Sequence, residues 1–236
     1  MTEHTLTRFD EELGGLAALI NSMFKIVRKN IKQAVRSLME GDEELAGRVI
    51  EQDRIANAFE VQADEMARGL IIRHQPAASD LRFVFAATKI VTDLERMSDL
   101  AVNIAQIVIN LKGVPPQRKA SIPAIQELVL NQVQSVRHAY KNGDLQKAKQ
   151  VIETHLLINE MFINSQRVLL TYMAENQSAI TNCMALTNIT KSLDRISDHA
   201  TNIAEMVIYM TIGYEVRHLD KTELKNFLSE NIEDDA

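Results

Sequence analysis

The chain has 236 residues, 46% of them hydrophobic, with no tryptophan, four prolines, eight glycines and a formal net charge of -6. That composition excludes a strand-rich fold, which calls for more β-branched and aromatic residues and more turns, and the acidic balance argues against a general nucleic-acid binder. Cys183 is the single cysteine, so no disulfide framework or cysteine metal site exists and a reducing cytoplasm fits. Met1 to Leu13 is acidic and polar, unlike a signal peptide, and no apolar run approaches the ~20 residues of a membrane span.

Helical periodicity runs from about Phe9 to Glu40, where Gly41-Asp42 stops one helix and begins another, which reads to about His74 and ends before Pro76. Ser79 or Asp80 caps a third helix that continues to Lys112-Gly113. Pro115, Pro116 and Pro123 then mark a boundary. A shorter fourth helix spans about Ala124 to Asn142, Gly143-Asp144 repeats the stop-start, a fifth runs to about Glu175, and a sixth from about Ser178 to Ile212-Gly213. A helix of about thirty residues is ~45 Å long, so short loops force antiparallel neighbours. The expected fold is all-α: two pseudo-symmetric three-helix bundles, residues 1–113 and 114–213. A polar tail, 214–236, follows, with an amphipathic turn near Leu219 to Leu228 and a frayed acidic end at Glu233-Asp234-Asp235.

The two halves share a phrase. Between 86–109 and 185–208 about half the positions are identical, and the common polar frame is acid-Arg-x-Ser-Asp-x-x-x-Asn. A repeat kept for packing alone would preserve apolar positions and let polar ones drift. At 100° per residue Ile90, Leu94, Met97, Ala101, Ile104 and Val108 form a core face, as do Ile189, Leu193, Ile196, Ala200, Ile203 and Val207. Glu95 and Asp99, and Asp194 and Asp198, lie nearly opposite and are expected to face away from the core.

In an antiparallel hairpin turning near Pro76, Asp53 comes level with Asp99 and Asn57 with Glu95. In the second, turning near Asn176, His155 comes level with Asp198 and Asn159 with Asp194. These oxygen-rich or oxygen-plus-imidazole sets suit Mg, Mn, Fe or Zn. Solvated helix faces making local pairs account for the same residues without metal, and His199 reads as structural.

Lys25, Lys29, Lys32 and Arg36, with Arg28 adjacent, form a basic stripe on the first helix, a docking surface for an acidic partner or simply a solvated face. The second half has no comparable stripe, Arg137 and His138 standing almost alone. There is no Gly-rich phosphate loop, His-Glu-x-x-His, Glu-x-x-His or nucleophile elbow, so catalysis has no positive support.

With this duplication, the Glu-Arg-x-x-Asp and Asp-Arg-x-x-Asp phrases, the run Arg73 to Arg82 and the stretch Gly213 to His218, the chain resembles the PhoU family. The resemblance covers nearly the whole chain. It implies two three-helix bundles carrying a paired acidic motif that in some members holds metal clusters, here matched by Glu95, Asp99, Asp194, Asp198 and Asp53. Asn57, His155 and Asn159 stand where acids are frequent, and Ser98 and Ser197 where glycine is frequent. It further implies a non-enzymatic cytoplasmic homodimer that links the ATPase subunit of a phosphate ABC transporter to a sensor histidine kinase. That adaptor represses phosphate-starvation signalling and reaches the membrane only through its partners. The alternative from another class is a metal-dependent carboxylate-bundle enzyme or metal store, which needs ligands projecting into a bundle interior.

Overall fold

A computed structural model describes residues 2–112 and 121–217 and the single positions 219, 223 and 227, with side chains from residue 8 onward. Six α-helices account for the described segments: α1 Thr2–Glu40, α2 Glu43–His74, α3 Ala78–Asn110, α4 Ile122–Asn142, α5 Leu145–Glu175 and α6 Ile180–Ile212. A 3₁₀ turn, Gln177–Ala179, leads into α6. No described helix is long and apolar enough to cross a membrane. Of the expected tail, the acidic end and most of the amphipathic turn lie outside the described residues, as does the side chain of His218.

The Gly-Asp junctions work as the sequence predicts, by two motifs back to back. Gly41 and Gly143 take φ of 69° and 64°, the left-handed region in which a Cβ is costly. The following aspartate N–H then reaches back five residues, Asp42 to the Ser37 carbonyl and Asp144 to the Ala139 carbonyl. The same aspartates cap the next helix, Asp42 accepting from the Leu45 N–H at 2.8 Å and Asp144 from the Lys147 N–H at 2.9 Å.

Four predicted starts move: α1 begins at Thr2 and not near Phe9, α4 at Ile122 and not near Ala124, and α3 and α6 shift at their caps. α3 begins at Ala78 with Ala77 as an N-cap that has no side-chain bond, so neither Ser79 nor Asp80 caps it; Asp80 instead sits in the first turn, where its charge favours the helix N-terminus. α6 begins two residues after Ser178, because the Asn176 side chain accepts from both the N–H and the hydroxyl of Ser178 and holds a 3₁₀ turn there. Pro123 lies inside the first turn of α4, where its missing N–H has no intrahelical partner to lose.

Within each half the three helices pack pairwise, and the halves join by like on like: α1 on α4 and α3 on α6. One hydrophobic core runs through both bundles, from Leu16, Ile20 and Phe24 through Leu94 and Ile104 to Ile196 and Ile203. Both predicted core faces are buried throughout. Because α3 and α6 also meet each other across the junction, they bury a wider arc than a single bundle requires, adding Val91 and Ala105 on α3 and Ala204 and Ile208 on α6. His199 closes that junction structurally, its Nδ1 2.8 Å from Asp93 Oδ1, which also accepts from the Asn202 amide at 3.2 Å. Beyond Gly213 the chain packs back: Val216 is buried and Arg217 lies 3.6 Å from Glu205.

Gly143→Ala places a Cβ at positive φ and is expected to lower stability by about 1–2 kcal/mol. Gly47→Ala, in an open stretch of α2, is expected to raise it by about 0.5–1 kcal/mol. Urea unfolding followed by circular dichroism reads both signs.

Candidate functional site

The shared frame occupies the seam between the last two helices of each bundle, α2–α3 and α5–α6. At its centre is a buried serine in each half, Ser98 and Ser197, both with no exposed surface. The Ser98 hydroxyl donates to Asp53 Oδ1 at 2.7 Å and lies 3.4 Å from the Asn30 amide nitrogen, joining α3 to α2 and α1. In the second bundle the Ser197 hydroxyl lies 3.1 Å from His155 Nδ1, while the Gln132 amide donates to the Val151 carbonyl at 3.0 Å and reaches the Ser197 carbonyl at 3.5 Å. Asn30 and Gln132, Asp53 and His155, Ser98 and Ser197 are thus equivalent members of one duplicated node.

Around the first node are the predicted carboxylates. Asp53 uses its other oxygen, Oδ2, to accept from the Asn57 amide at 3.1 Å. Asp53 reaches Ser98, one residue short of Asp99, so the predicted register is right to within a residue. Glu95 is mostly covered, and burial together with the charges of Asp99 and Glu60 pushes its carboxyl above the usual range, against the pull of Arg96, whose Nε lies 3.8 Å away. Glu60 on α2 is raised in the same way, by burial first and then by Asp64, with Asp99 adding to it.

Around the second node the charges are fewer and better matched. His155 Nε2 lies 3.4 Å from Asp198 Oδ1, and the Asn159 amide donates to Asp194 Oδ1 at 3.3 Å, both as the level-matching predicts. Asp194 is buried, and burial raises its carboxyl although the Asn159 bond and the nearby His155 act the other way.

The expectation that these acidic residues face away from the core needs correction. Glu95 is largely covered and Asp194 is buried, whereas Asp198 is exposed. A helical wheel drawn for one core places them outside, but α2 and α5 close over that side. Among the described residues no three His, Cys, Asp or Glu side chains converge on one point as a preformed metal cage. The donors of the first seam suit a hard cation in charge and chemistry, yet Asp53 already accepts from two side chains and Glu95 leans toward Arg96. Lys25, Lys29, Lys32 and Arg36 are all exposed on one side of α1, and Arg36 bonds Glu40 at 2.8 Å.

The family model described as PhoU domain matches twice, at residues 20–108 and 122–207, once on each bundle. The chain belongs to the PhoU family. Curated PhoU relatives include the phosphate-specific transport system accessory protein PhoU homolog of Zymomonas mobilis, 38% identical over 96% of this chain and 95% of that protein. The homolog of Pseudomonas aeruginosa is 34% identical over 98% and 96%. Among solved structures, PhoU from Pseudomonas aeruginosa superposes with a TM-score of 0.84 at 34% identity, over 87% of this chain and all of that one. The phosphate transport system regulatory protein PhoU from Streptococcus pneumoniae gives 0.81 at 25% identity, over 88% and 99%. PhoU is a family of accessory and regulatory proteins and not of enzymes.

Sequence reasoning missed Glu60 in the first PhoU repeat. Its signal was available: Asp53, Asn57, Glu60 and Asp64 are spaced four, three and four residues apart, which puts them on one face of α2.

Ser98→Ala leaves a buried end of Asp53 without its donor and is expected to cost about 1–3 kcal/mol in chemical unfolding. Glu95→Gln is expected to act oppositely at neutral pH. The folded state holds the Glu95 carboxyl above its ordinary value, so its stabilising contribution is complete below the unfolded value and is lost as pH rises through the folded one. Removing the charge therefore raises the melting temperature at pH 7, and the gain shrinks toward pH 4; a gain that grows in acid would refute the assignment.

Proposed function

We propose that this chain is a cytoplasmic accessory component of a phosphate transport system, an adaptor that carries the state of the transporter's ATPase subunit to a sensor histidine kinase and holds phosphate-starvation genes off when phosphate is plentiful. The observation that carries this reading is the near full-length similarity to proteins named as phosphate-specific transport system accessory proteins, spanning both bundles. The architecture is compatible with it: helix faces and seams on a rigid shared core offer surfaces for partners. Homodimer formation belongs to the same proposal. The test is deletion of the gene in cells grown with ample phosphate. Alkaline phosphatase and transporter expression are expected to switch on and to return with the gene; unchanged expression in the deletion strain would remove the regulatory reading.

The metal part of the proposal is narrower. A divalent cation, with Mg or Mn favoured over Fe or Zn by the all-oxygen donors, associates with the first seam through Asp53, Glu60, Glu95 and Asp99. The second seam, with His155, Asn159, Asp194 and Asp198, holds one more weakly, since its charges already have partners. Calorimetric titration with Mn²⁺ at pH 7 is expected to give a stronger signal for wild type than for Asp99→Asn, with Asp198→Asn close to wild type. Equal heats for all three would leave the seams as structural or partner contacts.

A further inference from the structure

α1 and α4 run antiparallel across the junction of the bundles. Their register is fixed by Arg137 Nε donating to Asn21 Oδ1 at 2.7 Å, Arg28 Nε to the Leu130 carbonyl at 3.3 Å, and the Gln126 amide to the Lys32 carbonyl at 3.3 Å. At 100° per residue Lys25, Lys29, Lys32 and Arg36 fall within about 60° of arc, bordering the seam that Asn21 and Arg28 mark. On α4, Lys141 lies about 40° from Arg137 and on the same side of the seam. The basic stripe that looked confined to the first repeat therefore continues onto the second.

The charge on this face is mainly positive, with Glu40 pairing with Arg36 at one end. Between Leu13 and Met39 α1 carries five cations and no carboxylate, and α4 adds Arg137 and Lys141 against the single acid Glu127. All this sits in a chain of net charge -6. Lys25, Lys29, Lys32 and Lys141 are exposed, and no carboxylate among the described residues forms an ion pair with them. From the level of Lys141 to Arg36 the face is about 28 Å long. The α3–α6 contact lies on the other side of the junction, since α1 touches α4 and not α6, and there Asp93 and Glu205 lie near each other.

We infer that the α1–α4 face docks directly on an anionic lipid surface. The occupant follows from what the face lacks. Among the described residues the large exposed apolar side chains lie on α2, α3, α5, α6 and at Tyr214, and none is on α1 or α4. Protein interfaces are built on buried aromatic and arginine anchors and deplete lysine. Duplex DNA is read by elements inserted into a groove, which a two-helix surface does not provide. A plane of anionic headgroups asks only for summed positive charge on an accessible surface, and clusters of four to eight Lys and Arg meet that need. Direct lipid contact departs from an attachment made only through partners and does not depend on the regulatory reading.

The test is co-sedimentation of the full chain with vesicles of phosphatidylcholine alone and of phosphatidylcholine with about a third phosphatidylglycerol. Wild type is expected to pellet with the anionic vesicles only, and to be released as salt rises from about 0.1 to about 0.5 M. Lys25, Lys29, Lys32 and Lys141, all changed to Glu, should lower partitioning at least about tenfold. The same four changed to Gln, which remove the charge without reversing it and keep the test valid if the reversed variant folds poorly, should give a smaller loss of the same sign. Arg54→Glu with Arg68→Glu, an exposed pair on α2, should behave as wild type. Failure to pellet, equal binding to neutral vesicles, or an equal loss in the α2 control would overturn the proposal. Failure to pellet with the anionic vesicles together with retention of duplex DNA at the same salt would assign the face to nucleic acid instead.

Discussion

A buried hydroxyl at the middle of each bundle sets the geometry on which the rest depends. Ser98 and Ser197 have no solvent to turn to, so each must find its partner in the protein, and an unpaired polar group there is costly. The partners come from the neighbouring helix, Asp53 in one bundle and His155 in the other. Apolar packing alone tolerates small slides of one helix along another; a short directional bond does not. The serines therefore fix the height at which α2 meets α3 and α5 meets α6, and with it the positions of every charged group along the two seams.

Once that height is fixed, the seams differ in electrostatic character. The first gathers carboxylates that burial and mutual repulsion push toward protonation, with Arg96 the cation drawn to them. In the second His155 stands where the first has Asp53 and Phe162 where it has Glu60, while Asn159 matches Asn57, so Asp198 and Asp194 each have a complementary neighbour. The first seam remains in electrostatic tension, which a bound cation or a basic partner relieves. The second is closer to self-sufficient. A single scaffold thus carries two sites of the same shape and different appetite for positive charge.

Much of this was legible in the residues. The duplicated phrase announced the two bundles, the Gly-Asp pairs marked the helix junctions, and level-matching placed His155 beside Asp198 and Asn159 beside Asp194. What stayed hidden involves a second neighbour. The wheel of α6 turns Asp194 outward because it assumes one core, whereas α6 packs against α4, α5 and α3 at once. Arg137 looked isolated, and Lys141 drew no notice, because a charge pattern read along one helix says nothing of the helix lying beside it. The start of α3 escaped because Ala77 and Ala78 carry no capping side chain, and the chain enters that helix through left-handed turns at Gln75 and Ala78.

The like-on-like contact of α1 with α4 and α3 with α6 is the arrangement of a symmetric dimer whose two subunits have been joined into one polypeptide. Joining makes their meeting unimolecular, so its strength no longer depends on how much protein the cell holds. It also frees the halves from each other in evolution. In a true homodimer a change at Asp53 would appear on both sides of the axis at once and both sites would have to tolerate it. In the fused chain, an aspartate on one side and a histidine on the other can be inherited separately, and specialisation becomes a matter of single substitutions.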